Sequence, residues 1–284
     1  MRHLLKSNLI VSLPLLLSCL ATPIRADEVA DKGRDIFKKN QHAVVTVEAV
    51  MKVSASGRGA AREAKQDLTG VVIDPSGLIV IALSAVDPSD LYRRLSEEYK
   101  QDIEVSEVKI MLEDGTEAPA QIVLRDTDLD LAFLRLKTKP TSPMAAVDLS
   151  KSSPAQVLDE VVALNRLKRG AGRAYAATVE RISAVVQKPR TFYIPETSIT
   201  ETSLGSPAFS LDGNVLGLFV MRAVNAQGAG NVRDSLTAII LPAEDVLKAA
   251  AQAPAEAKPD EEKKEVFSDP KPAAKPDAPK DPAK

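Results

Sequence analysis

The sequence predicts an all-β fold of the sandwich or barrel type. Many short runs of β-branched and aliphatic residues recur along it, and tight-turn sequences separate them at close intervals. Composition agrees: 44% of residues are hydrophobic, only 4% are aromatic and tryptophan is absent, so the core must rest on Val, Leu, Ile and Ala. A chain of 284 residues has room for one large or two small domains.

The elements follow in order. Residues 27–40 are polar with a few apolar positions and fit a short helix. The run from His42 to Val47 is the first strand. Leu68 to Ile73 and Leu78 to Ala82 flank Asp74-Pro75-Ser76-Gly77, a tight-turn sequence. A helical stretch around Leu91 to Tyr99 interrupts the first half. Val108 to Leu112 and Ala118 to Leu124 flank Glu113-Asp114-Gly115-Thr116, a hairpin, and Leu131 to Leu136 follows. Residues 137–154, rich in Pro, Ser and Thr, read as a connection between two halves. The second half offers strands at Val161 to Leu167, Tyr175 to Ile182, Ala208 to Ser210, Val215 to Met221 and Leu236 to Leu241. Pro242 and the acids Glu244 and Asp245 then open a helix through about Ala251, because proline and carboxylates suit a first helical turn.

The ends are different in kind. Arg2 and Lys6, the apolar run Leu9 to Leu17 and the small residues after it form an export signal over residues 1–26, with Ala21 and Ala26 as candidate cleavage points. The run is short for a membrane span. Cys19 is the only cysteine, and Leu16-Leu17-Ser18-Cys19 resembles a bacterial lipobox, so Cys19 is a candidate lipidation site. No disulfide is available to the body, whose stability must come from packing. Residues 253–284 are Pro, Ala, Lys, Asp and Glu with almost no large apolar side chains; such a stretch reads as a disordered, solvated tail. The net charge of -2 gives no reason to expect nucleic acid as a partner, and a membrane enters only through a lipid on Cys19.

Four segments carry a more specific signal. They are Thr69 to Val80, Asp114-Gly115 through Asp126 to Ala132, Thr202 to Ala208, and Asp212 to Leu218. Their order and spacing resemble the trypsin-like serine proteases, and among them the HtrA/Deg branch, over roughly residues 41–252; no PDZ domain follows. The resemblance implies two six-stranded antiparallel β-barrels with a site in the cleft between them.

A serine protease needs a hydroxyl nucleophile, an imidazole base and a carboxylate that orients the imidazole. On this resemblance Ser84 stands at the histidine position, Leu204 at the serine position and Thr202 at a glycine of the oxyanion loop; the aspartate alone is kept, as Asp130. Of the two histidines, His3 lies in the signal segment and His42 opens the first strand, where it is read as a strand-end or surface residue. Loss of the serine or the histidine costs a triad on the order of a million-fold in rate, roughly 8 kcal/mol of barrier. Asp130 is therefore read as structural, paired with Ser84. The body lacks a thiol, a zinc motif and a phosphate-cradling glycine loop, so no cofactor or metal is expected.

The expected role is that of a pseudoprotease, a peptide- or protein-binding domain outside the cytoplasm. Its ligand would add as a strand at the edge Val220, Met221 and Arg222. The alternatives are a hydrolase with a noncanonical site built on Ser203, Ser206 or Ser84, and a passive envelope protein held by its lipid or tail.

Overall fold

A computed structural model describes residues 26–55, 62–95, 101–196, 203–223 and 236–257. Twelve strands form two closed antiparallel barrels. The first contains β1 (Val44–Ala55), β2 (Arg62–Asp74), β3 (Leu78–Ala82), β4 (Gln101–Met111), β5 (Glu117–Asp126) and β6 (Leu131–Leu136), in the order β1-β2-β3-β6-β5-β4. The second contains β7 (Glu160–Arg166), β8 (Tyr175–Val186), β9 (Phe192–Pro195), β10 (Pro207–Ser210), β11 (Val215–Ala223) and β12 (Leu236–Pro242). Its order, β7-β8-β9-β12-β11-β10, repeats that of the first, six strands on. Helix α1 (Ala26–Asn40) leads in, α2 (Ser89–Leu95) sits between β3 and β4, and α3 (Ala243–Ala250) follows β12. Among the described residues no helix is long and apolar enough to cross a membrane.

Alternation explains how one strand serves two cores. On β1, Val45, Val47 and Ala49 point into the first barrel, with Ile79 and Ile81 of β3 and Leu134 of β6. Among the described residues that core holds no aromatic side chain. The other faces of β1, β3 and β6 supply Val44, Val80 and Phe133 to a cluster that also holds Val162, Phe209 and Val220 of the second barrel. This shared cluster joins the barrels through apolar contact. The second barrel packs its own interior around Phe219, Tyr193 and Ile240.

Eleven strands fall where the sequence places strands; β9 has no counterpart in that reading. It is only four residues long, ends in Pro195, and pairs with β12 through the single register Ile240↔Tyr193. His42 also departs from expectation. It lies in a 3-10 turn, Gln41–Ala43, and the strand begins after it at Val44. Residues 1–25, including Cys19, lie outside the described residues, as do Thr202 and residues 258–284. The start of the segment read as tail, residues 253–257, is described: Arg135 donates to the Pro254 carbonyl (3.1 Å), and Lys139 pairs with Glu256 (2.7 Å).

Candidate functional site

The cleft between the barrels is assembled by two sheet ends. In the first barrel β3 runs antiparallel to β6, with Ala82 opposite Leu131. The next residue on each side continues the contact, as Leu83 N–H donates to the Asp130 carbonyl at 2.9 Å. A short 3-10 turn, Leu83–Ala85, then presents Ser84 to the Asp130 side chain. The loop before Asp130 is held by Asp126, which accepts from Asp128 N–H (3.1 Å) and Leu129 N–H (3.0 Å). Arg94 of α2 binds the same loop at the Thr127 carbonyl and the Asp128 carboxylate.

Asp130 adopts a left-handed backbone, φ 58°, a conformation that Asp tolerates better than most residues. It is 6% exposed. Three donors converge on its carboxylate. Ser84 N–H reaches Oδ1 at 2.6 Å, Ser84 O–H reaches Oδ2 at 2.7 Å, and Met221 N–H of β11 reaches Oδ2 at 2.7 Å. Burial pushes the carboxyl up to about 7; the Met221 and Ser84 hydrogen bonds pull the other way. The expected pairing of Asp130 with Ser84 is thus present. The Met221 contact, which ties the carboxylate to the second barrel, is one that sequence reasoning missed.

The second barrel supplies the other wall. Leu204 sits in the turn that precedes β10 and is 9% exposed, with its side chain in the inter-barrel apolar cluster. The turn is fixed by Gly205, whose φ is +84° and whose N–H donates to the Phe219 carbonyl at 2.8 Å. A Cβ at Gly205 would stand 2.4 Å from the Thr69 carbonyl oxygen, so a side chain cannot be accommodated without moving the barrels apart. Ser206 is fully buried, and its N–H donates to the Ser203 carbonyl at 3.1 Å. Ser203 lies in the same turn.

Along β11 the backbone groups alternate. Phe219 N–H donates to the Ser206 carbonyl at 2.9 Å and its carbonyl accepts from Gly205, while Met221 N–H goes to Asp130. Positions 219, 221 and 223 therefore turn their backbone toward the cleft. Of the three residues expected at a ligand edge, Met221 is on this side. Val220 is buried in the inter-barrel cluster, and the Arg222 guanidinium lies 5.0 Å over the Phe192 ring. Ala223 has the right parity and was not singled out.

Between these walls is a cavity of about 440 Å³. Ser84, Leu204 and Met221 line it together with Met51, Leu91 and Tyr92. Among the described residues its lining has no imidazole and no charged side chain. His42 is elsewhere: it is exposed, pairs with Glu113 and packs edge-on against Tyr175, at 5.9 Å between ring centroids.

Comparison with known proteins agrees with this architecture. The family model of the trypsin-like peptidase domain matches residues 68–218. An Arabidopsis thaliana protein named protease Do-like 14 is 26% identical over 168 residues, 57% of this chain and 37% of that protein. A Rickettsia conorii protein named probable periplasmic serine endoprotease DegP-like is 26% identical over 161 residues, 53% of this chain and 27% of the relative. A Halomonas elongata protein of the same name is 25% identical over 173 residues, 59% of this chain and 32% of the relative. The matched region thus spans about a third of the length of these relatives.

Proposed function

The chain belongs to the trypsin-like peptidase domain family, and on that premise we propose that it is an exported member that binds extended polypeptide in its inter-barrel cleft without cutting it. The observation that carries this reading is the state of Ser84: its hydroxyl is committed as a donor to Asp130, at the place where the family resemblance expects a base. A proton acceptor for an attacking hydroxyl is what the reaction requires, and among the described residues the cavity lining offers no imidazole. Leu204 presents an alkyl group where the resemblance expects the nucleophile. Ser206 is fully buried, which sets it apart from the cleft.

Binding places fewer demands on the site than catalysis. An added strand uses main-chain groups, and the parity of β11 turns the Met221 carbonyl and the Ala223 backbone toward the cleft. The lining, with Met51, Leu91, Leu204 and Met221, suits apolar side chains of such a strand. The export signal read in residues 1–26, and the periplasmic names of two relatives, support a location outside the cytoplasm.

A serine-reactive fluorophosphonate tests the chemistry. The chain from Asp27 onward is expected to remain unlabelled and to leave casein intact. The double variant Ser84→His, Leu204→Ser is expected to gain labelling. Labelling of the parent chain that disappears with Ser203→Ala or Ser206→Ala would instead establish a noncanonical hydrolase. Fluorescent β-casein tests binding: saturable anisotropy is expected, weakened about tenfold by Ala223→Pro, in keeping with the loss of one backbone hydrogen bond.

A further inference from the structure

A second cavity, of about 450 Å³, opens on another stretch of the barrel surface. Val44, Val45, Met111, Leu136, Pro140 and Met144 give it an apolar wall. None of the residues lining the cleft contributes to it. Its polar side is already satisfied from within. Tyr175 O–H donates to Glu113 at 3.1 Å, His42 pairs with the same carboxylate, and the Arg166 guanidinium stacks 3.7 Å over the Tyr175 ring. Groups engaged in this way leave little for an ionic ligand, and the cavity calls for an apolar one.

The chain itself leads there. Lys139, a wall residue, pairs with Glu256 at 2.7 Å, and Arg135, four residues earlier in sequence, donates to the Pro254 carbonyl. The described chain therefore ends at Ala257 beside the cavity. Beyond it, in residues 258–284, the large apolar side chains are Val266 and Phe267 alone, side by side in a stretch of Lys, Asp, Glu, Pro and Ala. Phe267 is ten residues past Ala257, a reach of roughly 33 Å when extended. That is ample to cross one cavity mouth. A short tether also holds its anchor at an effective concentration in the millimolar range.

We propose that the tail folds back on its own chain and seats Phe267, with Val266, in the cavity formed by Val44, Met111, Leu136 and Met144. The occupant is an aromatic side chain because the space is apolar and the tail supplies one such side chain in reach. The clasp would cover the apolar wall beside the connection between the barrels and is independent of the chemistry in the cleft.

Methyl-labelled methionine gives a direct readout with a built-in control. Met111 and Met144 line this cavity, whereas Met51 and Met221 line the cleft. In NMR spectra of the exported chain, tail included, Phe267→Ala is expected to shift the Met111 and Met144 methyl resonances and leave Met51 and Met221 in place. The variant lies outside the barrels, so folding is not at risk. Unchanged Met111 and Met144 resonances would overturn the proposal. So would a difference between parent and variant that vanishes on dilution, since that would make a second copy the donor of the ring.

Discussion

Two groups of buried carboxylates lie at the seam between the barrels, and they are compensated in opposite ways. At the cleft, Asp130 is met by three neutral donors. At the β1–β2 hairpin, Glu48 and Asp67 stand directly opposite each other in the β-ladder. Like charges so placed repel, and cations are brought to them from both barrels. Lys65 lies 2.6 Å from Glu48; Arg169 and Arg173, from the β7–β8 turn, lie 2.9 and 3.0 Å from it. Arg173 also grips Asp67 through Nε (2.9 Å) and its terminal nitrogen (3.0 Å), a two-pronged contact. Burial pushes Glu48 and Asp67 up, but the Lys65 and Arg173 contacts outweigh it and hold both below their usual range. At Asp130 burial wins. The lesson is that the seam meets one buried carboxylate group with cations from both barrels and the other with uncharged donors alone.

The largest effect should follow removal of Arg173. Its side chain is 19% exposed, Glu48 is 1% and Asp67 is 8%. Arg173→Met would leave two facing carboxylates with only Lys65 and Arg169 as compensation, and breaking a buried ion pair costs about 3–5 kcal/mol. Urea unfolding at neutral pH is expected to show a loss of that order. Adding Asp67→Asn should restore much of it, by relieving the repulsion. A loss below about 1 kcal/mol would mean that the hairpin charges behave as an exposed pair does, and the contrast with the cleft would fail.

Asp130 should give a smaller effect with a distinctive pH dependence. Burial raises its folded pKa above the 3.8 of a free aspartate. A raised carboxyl binds a proton more tightly when folded, so its stabilising contribution is complete below about 3.8 and is lost as pH rises through about 7. At 1.36 kcal/mol per unit, the change across that window is at most about 4 kcal/mol. Asn tolerates the left-handed backbone and cannot ionise, so its stability does not follow this titration; its amide NH2 must face a backbone N–H, which costs stability equally at every pH. Asp130→Asn is therefore expected to gain stability relative to the parent between pH 4 and pH 7, measured by urea midpoints at each pH. The hairpin pair predicts the reverse trend: depressed pKa values give stability that is present above about pH 4 and lost as pH falls. Parallel pH profiles for the parent and Asp130→Asn would show that the three donors, and not burial, set the charge of Asp130.

These two sites also mark how far the sequence could be read. The barrels were legible because aliphatic alternation and turns such as Asp74-Pro75-Ser76-Gly77 are local signals, and because Thr69 to Val80 and Asp126 to Ala132 keep the order of a known family. The Ser84–Asp130 pair was legible from the same order. Strand β9 was not, as four residues ending in proline carry no periodicity. Nor was the Met221 N–H contact with Asp130, because a backbone donor has no residue type to read. The Glu48, Asp67 and Arg173 group was hidden for another reason. Its members are separated by up to 125 positions, and in sequence each is one charge among many. Only the packing of one barrel on the other brings them together. His42 looked like the opening of a strand and lies in the turn before it, because Gln41–Ala43 close a 3-10 hydrogen bond first.

Arg169 offers the smallest and sharpest test of the contrast. It touches the same Glu48 oxygen as Arg173, at 2.9 Å, yet its side chain is 66% exposed. Solvent screens such a contact, and exposed pairs contribute about 0.2–1 kcal/mol. Arg169→Ala should therefore cost well under 1 kcal/mol at low salt and nothing measurable near 1 M salt, where the screening length falls to about 3 Å. Arg173→Met should keep most of its cost at the same salt, because its partners are buried. If both variants lose their effect together as salt is raised, the hairpin is held by general attraction between exposed charges. If only Arg169 does, the barrels are joined there by a desolvated contact at Arg173, and the two ends of the seam differ in kind.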